Sequence, residues 1–99
     1  MDKDLLLAID VGTGSVRAAL ITKTGDMLAF SAKEHDQIVP FFGWSEQRPL
    51  EWWEGAVADI RNVLQKVDKA AHRVAGVAAC GQMHGTVLID EDGQLVLDR

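Results

Sequence analysis

This chain is poor in cysteine and proline and has no tyrosine: Cys80, Pro40 and Pro49 are its whole complement of the first two. A single thiol excludes an internal disulfide and any cysteine-based metal cluster, and it fits a reducing compartment. Cys80 reads as a small buried residue. No apolar run approaches the ~18 residues of a membrane span, so no membrane partner is expected. The start Met1-Asp2-Lys3-Asp4 carries acids where a secretory leader carries only bases, and the apolar run behind it is too short for a leader's core. A cytoplasmic location follows. Positive charge is scarce as well. Ten bases against fifteen acids leave a net charge of −5, and the bases are scattered, so no stripe is available to hold a nucleic-acid backbone. Metal-ligand spacing, Ser-His-Asp ordering and C-x-x-C are all missing, which leaves hydrolase and metalloenzyme chemistry without its parts.

What remains is an ordinary globular composition, 47% hydrophobic and 25% charged over 99 residues. Such a length makes one domain at most, burying roughly two-thirds of its unfolded surface. The most informative stretch opens it. Five apolar residues, 5–9, read as a strand buried on both faces and end at Asp10, where a lone carboxylate is costly unless water or a cation meets it. Behind it, Gly12 and Gly14 allow positive φ and close backbone approach, while Thr13 and Ser15 add hydroxyls to a row of N–H donors. A magnesium-bound phosphate suits that layout, and so does an ordinary tight hairpin. A Rossmann turn is excluded because its third glycine would fall on Arg17, and no Gly-Lys-Ser/Thr of a Walker loop follows.

Along the chain, strands are predicted over 5–9, 16–22 and 27–33, forming an antiparallel meander. Residues 34–48 read as a long connection that packs through Phe41, Phe42 and Trp44. Pro49 is well placed as a first helical residue, and Trp53, Ala56, Val57, Ile60, Val63, Leu64 and Val67 repeat at three and four, so one amphipathic helix is predicted over 49–69 with the tryptophan pair in core or interface. Arg48 is a poor N-cap for it. A returning buried strand is expected over 74–80, then strands over 86–90 and 94–97 about an Asp92-Gly93 turn. The fold class is therefore α/β: a three-stranded meander, a helix, and further strands in a mixed sheet.

Gln82, Met83 and His84 stand between glycines after the second buried run, where open α/β sheets place ligand-contacting groups. A donor-acceptor amide, an adaptable apolar wall and an imidazole suit a small polyhydroxylated ligand such as a sugar. A loop histidine held by backbone bonds is the other reading of His84, and it is the reading given to His35 and His72.

Three segments together resemble the FGGY carbohydrate kinases: residues 9–17 (Ile-Asp-Val-Gly-Thr-Gly-Ser-Val-Arg), Gly43-Trp44-Ser45-Glu46-Gln47 with Trp52-Trp53, and Gly81-Gln82-Met83-His84-Gly85. The third looks like the substrate loop of xylulokinases and related pentulose kinases. The resemblance covers nearly the whole chain and implies a ribonuclease-H-like, actin-like ATPase fold. It further implies transfer of the γ-phosphoryl group of ATP to a hydroxyl of a sugar or polyol, with magnesium, a pentulose such as xylulose being favoured. By that resemblance Asp10 holds magnesium through water, Gly12, Thr13, Gly14 and Ser15 cradle phosphates, and Arg17 helps neutralise them. Gln82, Met83 and His84 border the sugar, and residues 43–47 with Trp52 and Trp53 are scaffold around its pocket, Trp44 being the one of them to reach it. The alternative is a nucleotide-binding module of the actin-like group that phosphorylates no sugar.

The pattern departs at Arg48, where the family usually has Asp before the proline. Its kinases are several times longer, so residues 1–99 are read as the N-terminal part of a first actin-like domain, with the second domain absent. The general base, a second phosphate loop and the adenine pocket are expected downstream, and no catalytic residue is assigned here. The isolated chain is expected to be inactive, and a truncated sheet with an exposed edge invites a homo-oligomer.

Overall fold

Leu5 and Leu7 in one strand, and Val16, Ala18 and Leu20 in the next, are buried, and this spacing of two builds a sheet with one face turned to a core. In the computed structural model, which describes residues 2–99, the strands are β1 (Leu5–Val11), β2 (Ser15–Thr22), β3 (Met27–Glu34) and β4 (Val74–Cys80), in the order β3-β2-β1-β4. Met1, the first residue of the acidic start, lies outside the described residues. β1 with β2 and β2 with β3 are antiparallel, and β4 returns parallel to β1. The expected meander, helix and mixed sheet are present.

α1 (Pro49–Lys66) covers the core face, with a short α2 (Ala70–Arg73) leading into β4. Arg48 caps α1 without a side-chain hydrogen bond, as its chemistry predicts. Its buried line is Gly55, Asp59 and Val63, four residues apart. Gly55 is there because the helix comes close: a Cβ on it would lie 3.3 Å from Val16 Cγ2 and 3.5 Å from Lys33 Cβ. Asp59 accepts a 2.7 Å hydrogen bond from Ser31 Oγ, which in turn accepts one from Asn62 Nδ2 at 3.2 Å. That approach turns Trp53 outward, 68% exposed, and leaves Trp52 half-buried, so the tryptophan pair is not core. The helix ends at Lys66, short of 69, because Val67 is extended and Lys69 left-handed (φ 53°), a reversal that turns Val67 and Ala70 onto the core.

Other expectations are corrected. β1 is buried on one face only, since α1 is the single helical layer against the sheet. On the opposite face Ala8, Ala19, Ile21, Phe30 and Ala78 line an open apolar hollow of about 450 Å³. β4 is an edge strand, mostly exposed, and Cys80 is exposed rather than buried. The strands expected over 86–90 and 94–97 do not form; an isolated bridge, Ile89 to Leu95, is all that joins them. The turn signal was sound: Asp90 Oδ1 accepts from the amides of Asp92 and Gln94, and Gly93 sits at φ 79°. What is missing is a third strand, without which a two-stranded ribbon is marginal. The rings of the 34–48 connection do not reach the core either. Phe42 is fully exposed, and Phe41 and Trp44 pack edge-on against each other at 4.9 Å.

Candidate functional site

Parallel pairing of β1 with β4 sets Asp10 beside Cys80 and brings the ends of both strands to one edge of the sheet. Asp10 and Val11 belong to β1 and Ser15 to β2, so the turn is only residues 12–14. It closes with Gly12 N–H donating to Ser15 O at 2.9 Å. Neither Gly12 nor Gly14 is left-handed, so the expected use of positive φ is absent. Gly12 is required by proximity, because a Cβ would lie 3.2 Å from Ser15 O, whereas nothing stands within 4 Å of a Cβ at Gly14. The turn's carbonyls are all held from the connection after β3. His35 Nε2 donates to Gly12 O at 3.1 Å, His35 N–H donates to Gly14 O at 3.1 Å, and Gln47 Nε2 donates to Thr13 O at 2.7 Å. The amides of Thr13 and Gly14 have no partner among the described residues.

Asp10 faces Arg17 across the β1–β2 ladder without forming an ion pair. Arg17 instead donates from Nε to Ser15 Oγ at 3.1 Å, and its guanidinium reaches over Gly12. Cys80 Sγ–H donates to Asp10 Oδ1 at 3.2 Å. That hydrogen bond, with some desolvation and the carboxylate's charge, pushes the Cys80 thiol pKa up. The other carboxylate oxygen of Asp10 has no protein donor among the described residues. One uncommitted hard oxygen beside open space suits magnesium, which is bound through one or two carboxylates while keeping several waters. No group of three or more His, Cys, Asp and Glu side chains comes together among the described residues, as a site built wholly of protein ligands would need.

Beyond Cys80, Gln82, Met83 and His84 line one side of a cleft of about 300 Å³, with Gln37, Gln47 and Trp52 also on its walls. His84 is left-handed at φ 59°, an uncommon conformation for a side-chain-bearing residue and one met at ligand sites. An Arg99 to Glu46 ion pair at 3.0 Å lies at its margin. Trp44 does not line the cleft; its ring is on Phe41. Gln47 joins the two halves: besides Thr13 O it donates to Gln37 Oε1 at 2.9 Å and accepts from Trp52 Nε1 at 2.8 Å. His35 is a loop histidine held by backbone bonds, as expected, and Gln47 and Trp52 belong to the segments quoted for the resemblance, but the particular bonds these residues make, and any part for Gln37, were not legible in the sequence. Their partners are backbone carbonyls and other loop side chains, which leave no motif.

Both halves of the site lie within a stretch that is similar to sugar kinases. Residues 5–98 match the profile described as the FGGY family of carbohydrate kinases, N-terminal domain. A glycerol kinase of Listeria monocytogenes is 36% identical over 92 residues, and a xylulose kinase of Staphylococcus epidermidis is 30% identical over 93. These alignments cover 93% and 94% of this chain but 18% and 19% of the relatives. The crystal structure of xylulose kinase from Rhodospirillum rubrum superimposes with a TM-score of 0.88 at 25% identity, over 94% of this chain and 19% of that one. The sheet and its helix thus have the actin-like ATPase fold of these enzymes. The chain belongs to the FGGY family of carbohydrate kinases. It spans about a fifth of the length of the relatives it matches. None of its described helices is long and apolar enough to cross a membrane.

Proposed function

We propose that this chain supplies the first phosphate turn and the sugar-side loop of an ATP-dependent kinase that phosphorylates a hydroxyl of a ketopentose of the xylulose type. The observation that carries the reading is the parallel β1–β4 pairing, which sets Asp10 and the 12–14 turn beside the Gln82-Met83-His84 cleft. Free amides at Thr13 and Gly14, with the guanidinium of Arg17 over the turn, would take phosphate oxygens, and Ser15 Oγ adds a further polar group. Asp10 would hold magnesium through water, and the metal would supply neutralisation of phosphate charge. Gln82 and His84 offer donors and acceptors to sugar hydroxyls, and Met83 an apolar wall. Both glycerol kinases and xylulose kinases stand among the relatives; the amide and imidazole in the cleft favour a ligand with more hydroxyls than glycerol.

Phosphoryl transfer is mostly positioning and charge neutralisation, and this chain assigns no general base, so on its own it should turn over no sugar. Binding is the test. Amide shifts of the labelled chain would be followed with D-xylulose, D-ribulose and glycerol, each with a magnesium-bound, non-hydrolysable ATP analogue. Nucleotide is expected to move 12–17, and xylulose to move 82–84. Glycerol moving 82–84 while both ketoses leave them still would overturn the ketopentose assignment, and nucleotide binding with no response to any sugar would favour a non-catalytic nucleotide module.

A further inference from the structure

The phosphate turn has an unusual construction: glycines at 12 and 14, yet no left-handed residue to curl its amides into a concave nest. Something else must aim them. With no cis bond among the described residues, each of their peptide units has its C=O and N–H pointing in opposite directions. Fixing Gly12 O therefore fixes the direction of the Thr13 amide, fixing Thr13 O that of the Gly14 amide, and fixing Gly14 O that of the Ser15 amide. These carbonyls are the ones held by His35 Nε2, Gln47 Nε2 and His35 N–H, at 3.1, 2.7 and 3.1 Å.

We propose that His35 and Gln47 are positioning residues, which anchor the carbonyl side of the 12–14 turn so that its amides face outward to phosphate. This rests on the reading of the turn as a phosphate cradle. The side-chain chemistry leaves little freedom. Indole N–H can only donate, so Trp52 Nε1 fixes Oε1 of Gln47 and thereby aims its NH₂ at Thr13 O and Gln37 Oε1. A carbonyl can only accept, so the ring proton of neutral His35 sits on Nε2, leaving Nδ1 buried with no partner. Because Trp52 also walls the cleft that holds Gln82 and His84, Gln47 ties the geometry of the phosphate side to that of the sugar side.

The test uses the full 99-residue chain with magnesium pyrophosphate as ligand, read by amide shifts at Thr13 and Gly14, with thermal denaturation alongside. Gln47→Glu keeps the shape but turns two donors into acceptors, so Thr13 O is released and affinity should fall by about tenfold or more while the melting temperature stays near wild type. His35→Leu should weaken binding likewise, and His35→Gln, which restores a donor, should recover most of it. A purely structural role would move the melting temperature of all three and give no rescue that follows the donor. Should Gln47→Glu not fold, Trp52→Phe frees the amide to rotate and is expected to weaken binding without removing Gln47. Wild-type affinity in these variants overturns the positioning role and leaves the cradle standing. No shift at Thr13 or Gly14 in the unmodified chain overturns the cradle, and the positioning role with it.

Discussion

Gly14→Val separates folding from phosphate binding more cleanly than any other change in this chain. Nothing lies within 4 Å of a Cβ built at Gly14, and its φ is outside the left-handed region, so the protein has room for a side chain there. Losing a flexible glycine should raise stability slightly, by about 0.4–1 kcal/mol, or about 4–8 °C in melting temperature at the upper end. The same isopropyl group would occupy the space before the Thr13 and Gly14 amides. Hydrogen bonds to a charged partner are worth about 1.5–3 kcal/mol each, so losing both costs about 3–6 kcal/mol, a fall of about 10²–10⁴ in affinity. Calorimetry or amide-shift titration with magnesium ADP measures it, with a thermal melt on the same sample. Gly12→Ala is the contrast: its Cβ would lie 3.2 Å from Ser15 O, so it should disturb the turn's own hydrogen bond and lower stability as well as binding. If Gly14→Val binds magnesium ADP as well as the unmodified chain does, the 12–14 turn is not a phosphate cradle.

Three further outcomes are expected. Gly55→Val should destabilise by about 1–3 kcal/mol in urea unfolding with an unchanged m-value, because the added carbons enter space already filled by Val16 and Lys33. Asp4 accepts two hydrogen bonds from Arg73, at 2.9 and 2.8 Å, and these chiefly hold its carboxyl below the usual carboxylate range against a smaller opposing desolvation. A depressed folded-state pKa gives stability that is present above the unfolded value and lost as pH falls through the folded one, so the melting-temperature gap between the wild type and Asp4→Asn should be constant at neutral pH and vanish in acid. The raised thiol pKa of Cys80 means thiolate forms only at higher pH than for a free cysteine, so alkylation should be slow near neutrality and speed up in Asp10→Asn; equal rates would show that the hydrogen bond to Asp10 does not govern the thiol.

What could be read from sequence is what depends on neighbours in the chain. β4 runs over 74–80 as its apolar run implies, α1 starts at Pro49 as the ring's fixed φ favours, and the meander strands end within two residues of expectation. The misses arise where distant residues decide. Gly55 and Asp59 are poor core residues by type, yet they form the helix's buried line because Val16 and Ser31 across the sheet fit one and hydrogen-bond the other. Leu88, Ile89, Val96 and Leu97 look like strand residues, and they stay exposed because no third strand lies beside them. Asp10 and the 81–85 loop stand out in the sequence by residue type, by their place after buried runs and by the resemblance. The bonds that His35 and Gln47 make to the turn do not, since their acceptors are carbonyls 23 and 34 residues away, and any residue type carries a carbonyl.

That distribution bears on how the proposed chemistry is held in place. β1 and β4 are neighbours, about 4.8 Å apart, so the carboxylate closing one and the loop leaving the other are set at a fixed separation by backbone hydrogen bonds rather than by loop conformation. A slip of β4 by one residue would carry the 81–85 loop about 3.3 Å along the strand and reverse the faces of Ala78, Ala79 and Cys80, breaking the Cys80 contact with Asp10. Phosphoryl transfer tolerates little error in the line between donor and acceptor. Changes confined to Gln82, Met83 or His84 should therefore alter which sugar binds and how tightly. Changes that loosen the β1–β4 ladder, such as a proline at Ala78, should abolish productive geometry even where both ligands still bind.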